Sequence, residues 1–111
     1  MKNLYEGMFI LSAQLSAEAR GKALERITAQ MTKENGEIHK VHEMGRKKLA
    51  YEIRRHREGY YFLIYFDLPS DAVIKLTQEY HLNEDLLRFM IVRTDEVKET
   101  LEFKSLVKVR S

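Results

Sequence analysis

The spacing of apolar and polar positions changes several times along the chain, and each change marks an element. Leu4-Tyr5-Glu6-Gly7-Met8-Phe9-Ile10-Leu11 is short and rich in large apolar groups, and polar Ser12 to Gln14 closes it. A run that becomes apolar on both sides reads as a central strand. From Ser16 the period lengthens. Ala19, Ala23, Leu24, Ile27 and Met31 fall on one helical face with charges between them. Ser16 stands where an N-cap oxygen is wanted. Asn35-Gly36, both tolerant of the left-handed conformation, end the helix near residue 34.

Ile38 to Arg54 reads as a long second strand, irregular in the middle. Ile38 and Val41 are three apart, so a bulge, or a bend at Gly45, must reset the register before Leu49, Tyr51 and Ile53. Arg54 to Gly59 is a polar loop in which Gly59 supplies the flexible turn. Tyr60 to Leu68 is the most apolar stretch and therefore a second central strand. Pro69-Ser70-Asp71 starts a short helix, with Ser70 or Asp71 as its cap and Val73, Leu76 and Tyr80 as its buried stripe. Leu82 to Asp85 turns the chain into a fourth strand, Leu86 to Arg93. Residues 1–94 thus make one domain. Residues 95–111, of mixed charge and no clean period, read as a tail, either flexible or ordered on a partner, with a strand-like piece at Leu106 to Val109.

The order β-α-β-β-α-β predicts an α+β, ferredoxin-like sandwich: a four-stranded antiparallel sheet, both helices on one face, strands one and three in the middle. Two helices cover only one face. Tyr60, Phe62, Ile64 and Phe66 alternate with Tyr61, Leu63 and Tyr65, so one apolar set lies away from the helices. Apolar area left in water forgoes about 25 cal/mol per Å². A contiguous patch of it marks an interaction site. Either a partner docks there or the tail folds back over it. Gly59-Tyr60-Tyr61-Phe62-Leu63-Ile64-Tyr65 also loosely resembles the base-stacking strand of RNA-recognition motifs, but Glu58 and bulky Tyr61 stand where a basic residue and a small one belong.

Composition narrows the classes. At 111 residues, 44% hydrophobic and 32% charged, the chain is one globular domain. It has no cysteine, which excludes disulfides, thiolate metal sites and a Cys nucleophile and suits a reducing cytosol. The net charge is only +2, but it is unevenly spread. From Glu37 to Tyr60, seven basic residues (Lys40, Arg46, Lys47, Lys48, Arg54, Arg55, Arg57) face four acids (Glu37, Glu43, Glu52, Glu58), a local +3. Such a segment is how a soluble protein carries a nucleic-acid footprint. No apolar run approaches the roughly 20 residues that span a bilayer. The N-terminus has no basic leader, so the protein is expected to stay in the cytoplasm.

Catalytic constellations are missing from the sequence. Acylphosphatase-type hydrolases share this fold but need a glycine loop with an arginine after strand one, where this chain has Ser12-Ala13-Gln14-Leu15. There is no Gly-rich loop or Ser-His-acid set elsewhere. His39 and His42, three apart in a strand, point to opposite faces unless a bulge intervenes, and no third ligand is nearby. No enzyme activity, cofactor or metal is expected.

The most specific segment is Gly45-Arg46-Lys47-Lys48-Leu49-Ala50-Tyr51-Glu52-Ile53. It resembles the basic strand of the bacterial small-subunit ribosomal protein S-six family, Gly followed by three basic residues and Leu-Ala-Tyr-Pro-Ile, with Glu52 here in place of the proline. Tyr5-Glu6, Gly59-Tyr60-Tyr61 and Leu87-Arg88-Phe89-Met90-Ile91-Val92-Arg93 extend the likeness from Tyr5 to Arg93. The tail beyond Thr94 has no counterpart. The resemblance implies a ferredoxin-like, non-catalytic constituent of the cytoplasmic ribosome that supports subunit assembly and translation. It further implies binding to the central domain of small-subunit ribosomal RNA, as a heterodimer with ribosomal protein S-eighteen, and no membrane or small-molecule substrate.

Carried over residue by residue, phosphate contacts fall to Arg46, Lys47 and Lys48, and also to Lys2, Arg88 and Arg93. Arg54, Arg55 and Arg57 are added on charge alone. The resemblance makes Phe9, Leu11, Phe62 and Ile64 core. It leaves Glu6, Met8, Ile10, Tyr61, Leu63 and Tyr65 as the partner-protein face. A small-ligand regulatory domain dimerising through its sheets would also explain an apolar face, but not the run Arg46 to Lys48.

Overall fold

The computed structural model describes residues 2–98. The first element, β1 (Lys2–Ser12), leads into α1 (Ala17–Lys33). Ser16 is its N-cap, and the Ser16 hydroxyl accepts from the Ala19 amide at 3.1 Å. Of Asn35 and Gly36, only Asn35 takes the left-handed conformation, at φ 68°. Gly36 N then donates to Met31 O and Asn35 N to Thr32 O, the paired bonds that satisfy the helix's last carbonyls.

The long β2 (Glu37–Ile53) pairs with β3 (His56–Pro69) as one hairpin. Its register shifts in three places: between Ile38 and Lys40, between Glu43 and Gly45 (a glycine with φ 86°), and between Lys48 and Ile53 near the tip. The bulge expected at Gly45 is present, and a second lies at His39. The loop expected from Arg54 to Gly59 is reduced to its first two residues. Ile53 pairs with His56, so Arg54-Arg55 alone turn the chain. Gly59 is a strand residue because its lack of a side chain admits Ile10: a β-carbon at Gly59 would lie 2.3 Å from Ile10 Cγ2.

A 3₁₀ turn (Ser70–Ala72) precedes α2 (Val73–His81). Neither Ser70 nor Asp71 is a cap, since Pro69 precedes the turn as its N-cap, Ala72 is that of α2, and neither Pro69 nor Ala72 makes a side-chain cap bond. The last strand is β4 (Leu86–Arg93). The antiparallel sheet has the order β2-β3-β1-β4, so the two most apolar strands are central, as patterning predicts for the ferredoxin-like plan.

Register assigns the faces. Tyr5, Gly7, Phe9 and Leu11 oppose Phe66, Ile64, Phe62 and Tyr60. This side packs under Ala23, Ile27 and Met31 of α1 and Leu76 and Tyr80 of α2. Tyr80 sets its ring edge-on to Phe9 at 5.3 Å and donates its hydroxyl to Ile27 O at 2.7 Å, joining both helices over the sheet.

The other face carries Glu6, Met8 and Ile10 opposite Tyr65, Leu63 and Tyr61, the set expected away from the helices. It is not open, however. Tyr61, Leu63 and Tyr65 are only 5%, 3% and 0% exposed. At one end the far part of the hairpin contributes Leu49 to a second cluster with Ile10, Tyr61 and Leu87. At the other, the chain leaving β4 crosses back. Thr94 N donates to Leu4 O, His42 Nε2 donates to Lys98 O at 2.7 Å, and Glu96 and Lys98 lie beside Tyr65. Tail fold-back, one of the two expectations, therefore describes Thr94 to Lys98. The strand-like piece expected at Leu106 to Val109 lies outside the described residues.

Candidate nucleic-acid interface

The β2–β3 hairpin reaches past the end of β1 toward the turn that leads into α1. Between them lies a cleft of about 610 Å³, lined by Ala13, Gln14, Arg46, Lys48, Arg55, His56, Arg57 and Glu58. Strand alternation builds it. Arg46 pairs with Tyr60 and Lys48 with Glu58, so both lie on the cleft side. Arg46 bridges the gap, with Nη2 donating to Ala13 O at 2.7 Å and Nη1 lying 3.5 Å from Glu58 Oε1. Four cationic side chains thus meet one carboxylate.

The basic residues expected from sequence do not all converge. Lys47 pairs with Gly59 and falls on the opposite face from Arg46 and Lys48. Arg54 turns toward β4, its Nη1 3.4 Å from Glu84 O. Arg57 lines the cleft but also lies 3.8 Å from the Glu52 carboxylate. Arg88 sits on the face away from the helices, 5.3 Å above the Tyr51 ring. Lys2 opposes Pro69 and Arg93 opposes Tyr5, at the other end of the sheet. Arg93 is about six residues, or roughly 20 Å, along β1 from the level of Arg46. Lys2 and Arg93 are therefore not part of the cleft. Gln14 and His56, which charge counting passed over, are.

A second surface lies beside the hairpin on the helix-free face. Met8, Ile10, Leu49, Tyr51, Ile53, Tyr61, Arg88 and Met90 line a shallow apolar groove of about 280 Å³. Tyr51, Met90 and Val92 at or near it are 56%, 47% and 44% exposed. Met8, Ile10 and Tyr61 of the set expected away from the helices line this groove, while Leu63 and Tyr65 do not. Tyr51, Met90 and Val92 lie outside that set, because alternation along β1 and β3 does not show what β4 and the hairpin tip place beside Ile10.

At the opposite end of the sheet, Glu37, His39 and Asp67 place one donor atom each within 4.8 Å of one another. The bulge at His39 brings its ring to Asp67, 2.8 Å from Oδ2. The set could take a divalent cation, but it lies at the exposed edge, and His39 and Asp67 already contact each other. Among the described residues no nucleophile–base pair accompanies it. No helix among them is long and apolar enough to cross a membrane.

Together these features define a class: a ferredoxin-like α+β domain with a cationic cleft at one end of its sheet and no catalytic constellation among the described residues. Comparison with known proteins gives the family. The sequence profile of the family described as Ribosomal protein S6 matches residues 4–93. The small ribosomal subunit protein bS6 of Protochlamydia amoebophila is 61% identical over 106 residues, covering 96% of this chain and 93% of that one. The protein of the same name from Chlamydia pneumoniae is 59% identical over 103 residues, covering 93% and 92%. A crystal structure of 30S ribosomal protein S6 from Thermotoga maritima superposes with a TM-score of 0.78 at 30% identity, covering 99% of this chain and 96% of that one. The chain belongs to the ribosomal protein S6 family, and it is a structural protein of the small ribosomal subunit rather than an enzyme.

Proposed function

We propose that the hairpin end of the sheet docks on the central domain of small-subunit ribosomal RNA, and that the apolar groove beside it receives ribosomal protein S-eighteen as a heterodimer partner. The observation that carries the RNA part is the convergence of Arg46, Lys48, Arg55 and Arg57 on one cleft. Like charges held together are unfavourable unless an anion is shared among them. RNA phosphates supply that anion, and the counterions they release supply sequence-independent affinity. Selectivity then comes from the folded shape of the RNA.

The partner part is supported by the groove. Exposed Tyr51, Met90 and Val92 surround it, and Arg88 at its rim can pair with an acidic group of the incoming chain. The dock is smaller than patterning suggested, because the chain itself covers Leu63 and Tyr65.

Affinity capture from bacterial lysate, before and after nuclease, tests both parts. The expected result is small-subunit ribosomal RNA in the untreated sample and S-eighteen retained after nuclease. A protein recovered alone or as a homodimer would reject the proposal.

A further inference from the structure

The turn closing the β2–β3 hairpin is made of two arginines in a conformation that arginine disfavours. Ile53 pairs with His56, so Arg54 and Arg55 form a two-residue loop, at φ 48° and 69°. Two consecutive positive φ values in such a loop define the type I′ turn, whose preferred occupants are Asn and Gly. Residues with a β-carbon pay a steric penalty there.

The two guanidinium groups differ in what they receive in return. Arg54 has the Glu84 carbonyl. Arg55 is exposed, lines the cleft with Arg46, Lys48 and Arg57, and makes no hydrogen bond or ion pair with another described residue. Folding would be served better by glycine at this position. Strain kept without a packing return points to use by a ligand. The cleft lining also limits what that ligand is. It holds four cationic groups, Arg46 with Glu58 beside it and Arg57 with Glu52 beside it, and His56 is the only ring in the lining. Such a lining suits phosphates better than stacked bases.

We infer that the left-handed turn holds Arg55 over the cleft so that it and Arg46 and Lys48 grip converging phosphates of an RNA backbone bend. This rests on the reading that the hairpin end docks on RNA phosphates, and adds why an unfavourable turn is kept there and which side chain it serves. Arg55 is then a binding residue that costs the fold something.

The test compares R55G, R55K and the R46A/K48A double variant with the unaltered chain, using R26A on the exposed side of α1 as control. Each is titrated with a central-domain fragment of small-subunit ribosomal RNA, together with S-eighteen, over a salt series, and melted alone. The expected result is that R55G melts no lower than the parent, binds roughly fivefold more weakly, and loses about 0.7–0.9 from the slope of log affinity against log salt. R55K and R26A should keep the parent slope. Parent-like affinity and slope in R55G would overturn the inference, and so would a lower melting temperature, which would show that the arginine side chain holds the turn. If R46A/K48A loses slope while R55G does not, this inference falls and the RNA reading stands. If the unaltered chain shows no salt-dependent binding, both fall.

Discussion

Arg46 Nη2 donates to the carbonyl oxygen of Ala13 at 2.7 Å, although the two residues are 33 apart in sequence. The bond anchors the hairpin to the turn after β1 and so sets the width of the cleft. Because Arg46 and Lys48 share that side of β2 while Lys47 faces away, the three consecutive cations are not equivalent. R46A/K48A is expected to reduce the salt slope of RNA binding by about 1.4–1.8, two phosphates' worth. K47A should change it little. Equal loss from K47A would show that the other face meets the RNA.

Gly59 and Ile10 are matched in the same way. Gly59→Ala would place a methyl group 2.3 Å from Ile10 Cγ2 and 3.2 Å from a Leu49 methyl, inside the cluster that joins the hairpin to the sheet. Overpacking of this kind costs about 1–3 kcal/mol. Urea denaturation should show that loss in G59A, and a smaller one when the same change is made in an I10A background. A full-sized penalty in both would place the cost in the backbone.

The groove can be tested without touching the core. Met90 is about half exposed on β4, so Met90→Asp should leave the melting temperature within a degree or two. The same change puts a charge into apolar contact and should weaken S-eighteen binding by about tenfold or more. Calorimetric titration of the isolated pair reads this directly. Unchanged affinity would move the partner to another surface.

Two buried phenols make stability sensitive to alkali. Burial first, and then the neighbouring Glu6 carboxylate, push Tyr65 up to about 12, and burial also raises Tyr80. Unfolding returns both to the ordinary value of 10.0. Below that pH both states keep the protons and these groups impose no pH dependence. Above it the unfolded chain releases protons that the folded chain retains, so stability falls by about 1.4 kcal/mol per pH unit for each phenol. Denaturation between about pH 9 and 11.5 should show this decline, and Tyr65→Phe should remove one phenol's share of it. An unaltered slope in Y65F would mean that Tyr65 titrates normally.

Much of the fold is legible because it is written locally. The change of apolar spacing at Ser16 and again at Ile38, and the unbroken apolar runs in β1 and β3, lead directly to the ferredoxin-like order. The hairpin tip was not legible. Gly59 imitates a turn residue, while the real turn uses Arg54-Arg55, which carry no turn signal. Nor could spacing show that Tyr61, Leu63 and Tyr65 are buried. That depends on contacts far apart in sequence, Leu49 over Tyr61 and Lys98 beside His42 and Tyr65. For the candidate site, the run Arg46 to Lys48 marked the strand that carries Arg46 and Lys48 to the cleft. Sequence proximity could not show that alternation divides the run, or that Lys2 and Arg93 lie at the far end of the sheet.

The central claim is that RNA lies against the hairpin end. Ultraviolet cross-linking of assembled small subunits, followed by mass spectrometry of the peptide–RNA adducts, tests it most directly. The account predicts adducts on the segments that line the cleft, Ala13-Gln14 and the hairpin from Arg46 to Glu58. Adducts confined to the helices, or to the end of the sheet carrying Lys2 and Arg93, would contradict it.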